Sequence, residues 1–501
     1  MNNELRPFLY EINTRVYLNE LSKNLKKQAT LSDIPDSLFL NLANKGFDYI
    51  WFLGIWQIGK VGQVVSQSTK EWQLSFRKCL SDLNEKDITG SPFAIQAYNV
   101  DSLFGGDLEL AKLRIRMQKF NLKLCLDFVP NHTAIDHPWV NSHPDFYIQG
   151  SEQDLLDQPQ NFTKVNTNGE SLILAYGRDP YFSGWPDTIQ LNYFNANFQN
   201  EMLQVVKKIS SQCDAVRCDM AMLVLPDVFK KTWGDRPRFQ NPSFSVIPFW
   251  PVATKAIKAQ NDKFIFIAEA YWDLEWQLQH QGFDFTYDKR LYDRLAHENS
   301  ESVNSHLQAD WDYSRKLVRF LENHDEERAS DVFFMEKQRA AALITFFSPG
   351  LMFYHEGEFE GWKKHASVHL NRRPVEKTNT DLFEFYQNLL EALKKPAIKT
   401  SSYQLLFANH CHANNHSSKS FVCALRTNDS GQANLAIVNY SSNPAQCFLP
   451  IPLTNLKSKI CVLTDMMSAQ TYERDGDKLI GEGLFLDVPA WGYHLFEITL
   501  K

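Results

Sequence analysis

The sequence predicts an α/β fold: a (β/α)8 TIM barrel with a small domain inserted after its third strand and a C-terminal antiparallel β-sandwich. Three observations predict it. Short apolar runs rich in β-branched and aromatic residues alternate with longer amphipathic stretches as far as about Lys395. A polar, Pro- and Gly-punctuated segment interrupts that rhythm from 133 to 192, too long for an ordinary loop. Beyond Lys395 the helical period gives way to short strands separated by turn clusters. The expected division is residues 1–132 and 193–395 in the barrel, 133–192 in the inserted domain and 396–501 in the sandwich.

In chain order, Leu9-Tyr-Glu-Ile-Asn-Thr-Arg-Val-Tyr-Leu18 reads as the first strand. A helix follows, capped near Ser32, carrying Leu38, Leu40, Leu42 and Ala43, and stopping at Gly46. Phe47 to Ile55 is apolar on both faces, as a buried parallel strand should be. Leu122–Val129, Asp214–Cys218, Phe264–Ala268, Phe283–Tyr287, Val318–Leu321 and Gly350–Tyr354 complete eight strands. That count favours a closed barrel over an open doubly wound sheet. Neither G-x-G-x-x-G nor G-x-x-x-x-G-K-[ST] occurs, so a nucleotide site has no support. The sandwich strands are expected at Ser420–Leu425, Leu435–Tyr440, Ile460–Thr464 and Trp491–Ile498.

Composition narrows the function. With 44% apolar and 22% charged residues, the 501-residue chain is ordinary globular material. A net charge of −7 without a basic block argues against nucleic acid or an anionic membrane as partner. No apolar run reaches membrane-spanning length and the N-terminus lacks a signal pattern, so a cytoplasmic protein is expected. The eight cysteines lie far apart with no C-x-x-C pair, the pattern of buried free thiols. His410-Cys411-His412 with His416 sits among Asn and Ser and reads as a solvated loop.

The chemistry is expected at the C-terminal ends of the barrel strands. Four of those ends carry carboxylates: Asp127-Phe-Val-Pro-Asn131-His132, Arg217-Cys-Asp219, Glu269-Ala-Tyr-Trp and Asn323-His324-Asp325. One acidic residue after a strand is commonly only a helix cap. Four, without a Cys- or His-rich metal set, fit acid/base work by carboxyl groups. Glycoside hydrolysis needs such a set: one carboxylate to attack or support an oxocarbenium-like centre and one protonated acid for the leaving oxygen. A divalent-metal carboxylate site is the other reading. It is weakened by Arg217, a fixed cation beside Asp219.

At these residues the chain resembles glycoside hydrolase family 13, the alpha-amylase family, with four stretches in the family's order. Asp127-Phe-Val-Pro-Asn-His132 resembles the first, Ala215-Val-Arg-Cys-Asp-Met220 that of the nucleophile, Ile267-Ala-Glu269-Ala that of the general acid, and Phe320-Leu-Glu-Asn-His-Asp325 that of the transition-state stabiliser. The resemblance implies Asp219 as nucleophile, Glu269 as acid/base and Asp325 as stabiliser in a retaining double displacement. It further implies substrate contacts from Phe93, Tyr98, His132, Arg217, His324 and Arg328. Phe93 stands where the family usually has a ring-stacking Tyr. Asp127 and Asn131 are expected to organise their loop. No cofactor is required, and calcium is the one metal the resemblance brings, with Asn131 as its candidate ligand. Met220-Ala-Met-Leu-Val224 replaces the Lys-His type of many amylases, which removes a residue often used beside that calcium and leaves apolar leaving-group contacts. The expected partner is an α-glucan or maltooligosaccharide, cleaved at α-1,4 bonds. The same residues also serve a 4-α-glucanotransferase, an α-glucosidase or a non-catalytic carbohydrate-binding relative.

Overall fold

The computed structural model describes residues 4–167, 169–234, 236 and 247–501. Eight strands close into a barrel in sequential order, every pair parallel: β1 (Phe8–Asn13), β2 (Tyr49–Leu53), β3 (Lys123–Phe128), β4 (Ala215–Cys218), β5 (Ile265–Ala268), β6 (Phe285–Tyr287), β7 (Leu317–Arg319) and β8 (Leu351–His355). β8 returns to β1 through Met352 opposite Phe8, which removes both sheet edges. Each falls within or against one of the eight expected runs. β2 is buried at every position, since helices cover its outer face and side chains fill the barrel inside.

The first strand is shorter than its apolar run suggests. β1 ends at Asn13, and Thr14–Leu25 is helical. Thr14 and Val16 are β-branched and extend the strand pattern, but the Asn13 side chain accepts the Val16 N–H and caps a helix there. A tertiary requirement wins: a parallel strand must turn into its crossover helix within a few residues.

Three segments leave the barrel rhythm, one more than expected. Between β2 and the helix Gly106–Gln118, the chain makes an excursion. Strands Trp56–Ile58 and Ile95–Val100 pair antiparallel, with helices Lys60–Ser68 and Lys70–Cys79 between them. After β3, the strand His132–Ala134 pairs with Thr188–Gln190, and the intervening chain forms a hairpin of Phe162–Thr167 with Glu170–Ala175. Beyond the helix Thr380–Leu393 lies the antiparallel β unit. Its seven-stranded sheet includes Glu4–Leu5 from the start of the chain, paired to Thr400–Ser401. Ala445–Leu449 and Leu484–Val488, far apart in the chain, pair antiparallel as a separate two-stranded sheet. Trp491 precedes its expected strand, which begins at Tyr493. Its ring meets Phe334 at the start of a barrel helix, 5.5 Å between centroids.

Among the described residues, no helix is long and apolar enough to cross a membrane. All eight cysteines are free thiols and all but Cys411 are buried. The His410 and His416 rings meet edge to face in their loop, with His410 on the Ser418 hydroxyl.

Candidate active site

A pocket of about 320 Å³ opens at the C-terminal ends of the strands and is lined by Asp219, Glu269 and Asp325 together with Phe93, His132 and Trp185. Its electrostatic centre is Arg217, fully buried on β4. One terminal nitrogen, Nη1, donates to Asp219 Oδ1 at 2.6 Å, and the other, Nη2, lies 2.8 Å from Glu269 Oε2. The guanidinium is also packed among the rings of Trp51, Phe93 and Tyr287. A single fixed cation thus holds carboxyl groups from two neighbouring strand ends.

Backbone geometry aims those carboxyls. Met220, directly after Asp219, has φ +40°, and Trp272 and Asp273, just beyond Glu269, have φ +66° and +63°. Left-handed non-glycine residues cost about 1–3 kcal/mol each and persist where the surroundings over-determine them. Here the turn at Met220 points its N–H at Glu269 Oε2, at 2.6 Å. The Tyr271 hydroxyl donates to the other oxygen at 2.8 Å.

The three carboxyl groups are pushed apart in acidity. Burial raises Asp219 against the pull of Arg217. Burial likewise lifts Glu269 to about 7; Arg217 opposes this, and the negative charges of Asp219 and Asp325 add to it. Asp325 is held well below the usual carboxylate range: the surrounding protein acts to raise it, but His324 at 3.0 Å and Arg217 overrule that. Its side chain is 45% exposed, open to the pocket. Such a divergence is how one site keeps an acid and a base at the same pH.

The other expected residues divide. Phe93 and His132 line the pocket. The Phe93 ring lies 5.5 Å from that of His324, and burial pushes His132 down to about 3, so it is neutral. Tyr98 lies outside the pocket lining. Its hydroxyl donates to the Val129 carbonyl and accepts the Val129 N–H, so it braces the β3 loop from behind the pocket. Arg328 lies outside that lining too: it is buried against Glu322, His355 and the Glu356 carbonyl, and its charge is spent on the buried Glu322 carboxylate. Asp127 takes N–H donors from Trp51 and Gly54 on its two oxygens. The apolar run after Asp219 also differs: Met220 faces the pocket, while Ala221 to Val224 are buried and outside its lining.

Asn131 was the candidate calcium ligand, and its surroundings do not fit a cation. Gln190 Nε2 sits 2.9 Å from Asn131 Oδ1, 3.0 Å from the Asn131 carbonyl and 3.1 Å from the Leu191 carbonyl. Three oxygens converge on an amide nitrogen where a cation would need them. Among the described residues, no group of three His, Cys, Asp or Glu side chains is placed to hold a metal.

Sequence reasoning missed several lining residues. Trp72 and His369 carry no motif, Tyr271 stands in the Glu269-Ala-Tyr-Trp stretch, which is singled out only through its carboxylate, and Asp187 is identifiable only through its place in the Gly184-Trp-Pro-Asp187 turn. Asp187 is a buried fourth carboxyl, raised by burial to about 6. The Glu358-Phe-Glu-Gly-Trp362 segment lies outside the pocket lining, with Glu358 accepting the Tyr386 hydroxyl and Trp362 under Arg373.

Fold and site together define a (β/α)8 barrel protein with a carboxylate-lined pocket at the strand ends. The chain belongs to the alpha-amylase family: the model described as "Alpha amylase, catalytic domain" matches residues 93–382. It is similar to Alpha-amylase 3 of Dictyoglomus thermophilum, 23% identical over 58% of this chain and 57% of that protein. It is also similar to Maltase A2 of Drosophila melanogaster, 23% identical over 52% of this chain and 54% of the other. The chain thus spans about half the length of the curated relatives it matches. In fold it is similar to a noncanonic maltogenic alpha-amylase of Thermotoga neapolitana, with a TM-score of 0.68 at 18% identity over 99% of both chains.

Proposed function

We propose that this protein is a retaining glycoside hydrolase that cleaves α-1,4-glucosidic bonds in maltooligosaccharides or related α-glucans. The observation that carries the reading is the Arg217 fork. It holds Asp219 and Glu269 together in a pocket that also receives Asp325. Retention requires two carboxyl groups close enough to act on one anomeric carbon in turn, typically about 5–5.5 Å apart.

In this reading Asp219 attacks the anomeric carbon from one side, with Arg217 balancing its charge until the bond forms. Glu269, raised to about 7, is protonated often enough near neutral pH to give its proton to the leaving oxygen. It then takes a proton from the water that releases the sugar from Asp219. Asp325, held ionised by His324, accepts hydrogen bonds from sugar hydroxyls as positive charge builds on the ring. Phe93 offers a face to the ring, and neutral His132 serves as donor or acceptor to a hydroxyl.

Incubation with maltotriose as sole substrate tests the proposal. Glucose and maltose, with no longer product, are the expected outcome. Longer oligosaccharides would mean that a sugar hydroxyl, not water, resolves the intermediate. An unchanged maltotriose pool would remove the catalytic reading.

A further inference from the structure

Three segments far apart in the chain meet at one end of the carboxylate-lined pocket: the helix Lys60–Ser68 of the excursion after β2, the turn at 185–188 in the inserted domain, and the loop at 368–373 beyond β8. Each is fastened to its neighbour. The Lys60 N–H donates to Asp136 at 2.9 Å, and a Cβ on Gly62 would lie 3.4 Å from that of Ala94 and 3.5 Å from that of Asp187. Glycine is a poor helix former, and here its lack of a side chain brings the helix into near contact with the turn. At the other end of the same helix, Ser66 Oγ lies 2.8 Å from Nδ1 of His369. The Thr89 N–H donates to the His369 carbonyl at 2.8 Å, and Trp72 meets the His369 ring with 4.8 Å between centroids. Arg372, three residues on, is paired with both Asp82 and Asp87. Helix, turn and loop thus interlock into one wall.

The wall stands on the side of the pocket away from Glu269. Ala94, which the helix touches, follows Phe93, and the Trp185 ring packs on His132 at 5.2 Å. Glu269 has other neighbours: Tyr271 bonds its carboxyl, and Trp272 meets Tyr181, whose ring is 56% exposed. Electrostatics separates the two ends as well. Asp219 and Asp325 both act on Glu269, whereas burial alone raises Asp187 and none of the three reaction carboxyls contributes. An acid at Glu269 needs the leaving oxygen beside it, so the leaving chain departs toward Tyr271 and Trp272. The wall meets the opposite, non-reducing end of the sugar.

Asp187 lines this end of the pocket and is 3% exposed. Among the described residues, no hydrogen bond reaches its carboxyl except from its own N–H. A buried carboxyl without a donor is costly, and a sugar hydroxyl supplies one.

We propose that the pocket is blind at this wall and takes the non-reducing terminal glucosyl unit of an α-glucan, whose 4-hydroxyl donates to Asp187. The inference rests on the hydrolytic reading above and adds the direction of attack. An internal unit would have to continue through the wall at that hydroxyl, so glucose leaves from the chain end.

Maltoheptaose, and its derivative with an ethylidene group across hydroxyls 4 and 6 of the non-reducing unit, test the wall when each is incubated with the full-length protein. The free chain should shorten by one glucose at a time, and the blocked chain should be cleaved at least a hundredfold more slowly. Comparable cleavage of both, with maltotriose to maltopentaose as early products, overturns the inference and leaves hydrolysis intact. Cleavage of neither removes the hydrolytic reading, and the inference with it. The hydroxyl contact is tested with maltotriose and its analogue lacking the terminal 4-hydroxyl. By kcat/KM the unmodified protein should prefer maltotriose at least tenfold. Asp187→Ala should bring that preference close to unity by slowing maltotriose alone. The folded fraction cancels in this ratio, so a loss of stability does not move it. A preference that Asp187→Ala leaves unchanged overturns the role of Asp187.

Discussion

Glu11 on β1 places Oε1 2.5 Å from Nδ1 of His324, both side chains almost fully buried. The other ring nitrogen lies 3.0 Å from Asp325. Carboxylate, imidazole and carboxylate form one line from the barrel interior to the cleft. Burial alone would strip His324 of its proton, yet Asp325 and Glu11 raise it well above the usual histidine value.

That line predicts a pH-dependent stability deficit. A histidine raised in the folded state contributes stability fully present below its unfolded value, about 6.5, and lost as pH rises through its folded value. Glu11→Gln removes one of the two counter-charges. Urea unfolding should show a loss of about 3–5 kcal/mol at and below neutral pH, the cost of breaking a buried pair, shrinking at alkaline pH. A deficit that does not change with pH would mean that Glu11 acts by packing alone.

Glu269, lifted to about 7, predicts an alkaline limb in turnover. Its acid form dominates below that pH, so cleavage of maltooligosaccharides should fall as pH rises through about 7. Glu269→Gln should lose most turnover on these substrates and far less of the first step on an activated aryl glucoside, whose leaving group needs little protonation. Azide should then rescue release with retained configuration. Asp325→Asn should slow every substrate and show no azide rescue.

Arg328 separates fold from site. Its salt bridge with Glu322 and contact with His355 predict that Arg328→Ala destabilises the protein by about 3–5 kcal/mol through an uncompensated buried charge. Measured where the variant is folded, KM for maltotriose should stay within about twofold. A KM rise of tenfold or more would restore Arg328 to substrate binding.

Gln190 predicts indifference to chelators. With its nitrogen on three oxygens, EDTA should leave the unfolding temperature and the turnover unchanged. Gln190→Ala removes the donor those acceptors share and should cost about 1–3 kcal/mol in urea unfolding. Activity lost to EDTA and regained with calcium would contradict this.

The barrel was legible because burial on both faces gives each strand a compact apolar run, and eight such runs leave few other closures. The carboxylates were legible because they follow strands directly, as with Asp219 after Cys218 and Glu269 after Ala268. What the sequence hid is non-local. Trp56–Ile58 is too short to carry a period, so nothing in the pattern separates the excursion after β2 from the barrel. Arg328 and Tyr98 look like site residues by neighbourhood along the chain. Glu322 shares the loop with Arg328, but His355 on the next strand and Val129, the partner of Tyr98, are set by packing across strands. Gln190 is 59 residues from Asn131, a pairing no spacing rule reveals.

The central claim is that Asp219 forms the covalent intermediate. Incubation with a fluorinated α-glucosyl fluoride that turns over slowly, followed by proteolysis and mass mapping, tests it most directly. The account predicts one glucosyl adduct, on the peptide containing Asp219, and its absence in Asp219→Asn. An adduct on Glu269 or Asp325, or a product of inverted configuration from the unmodified protein, would contradict it.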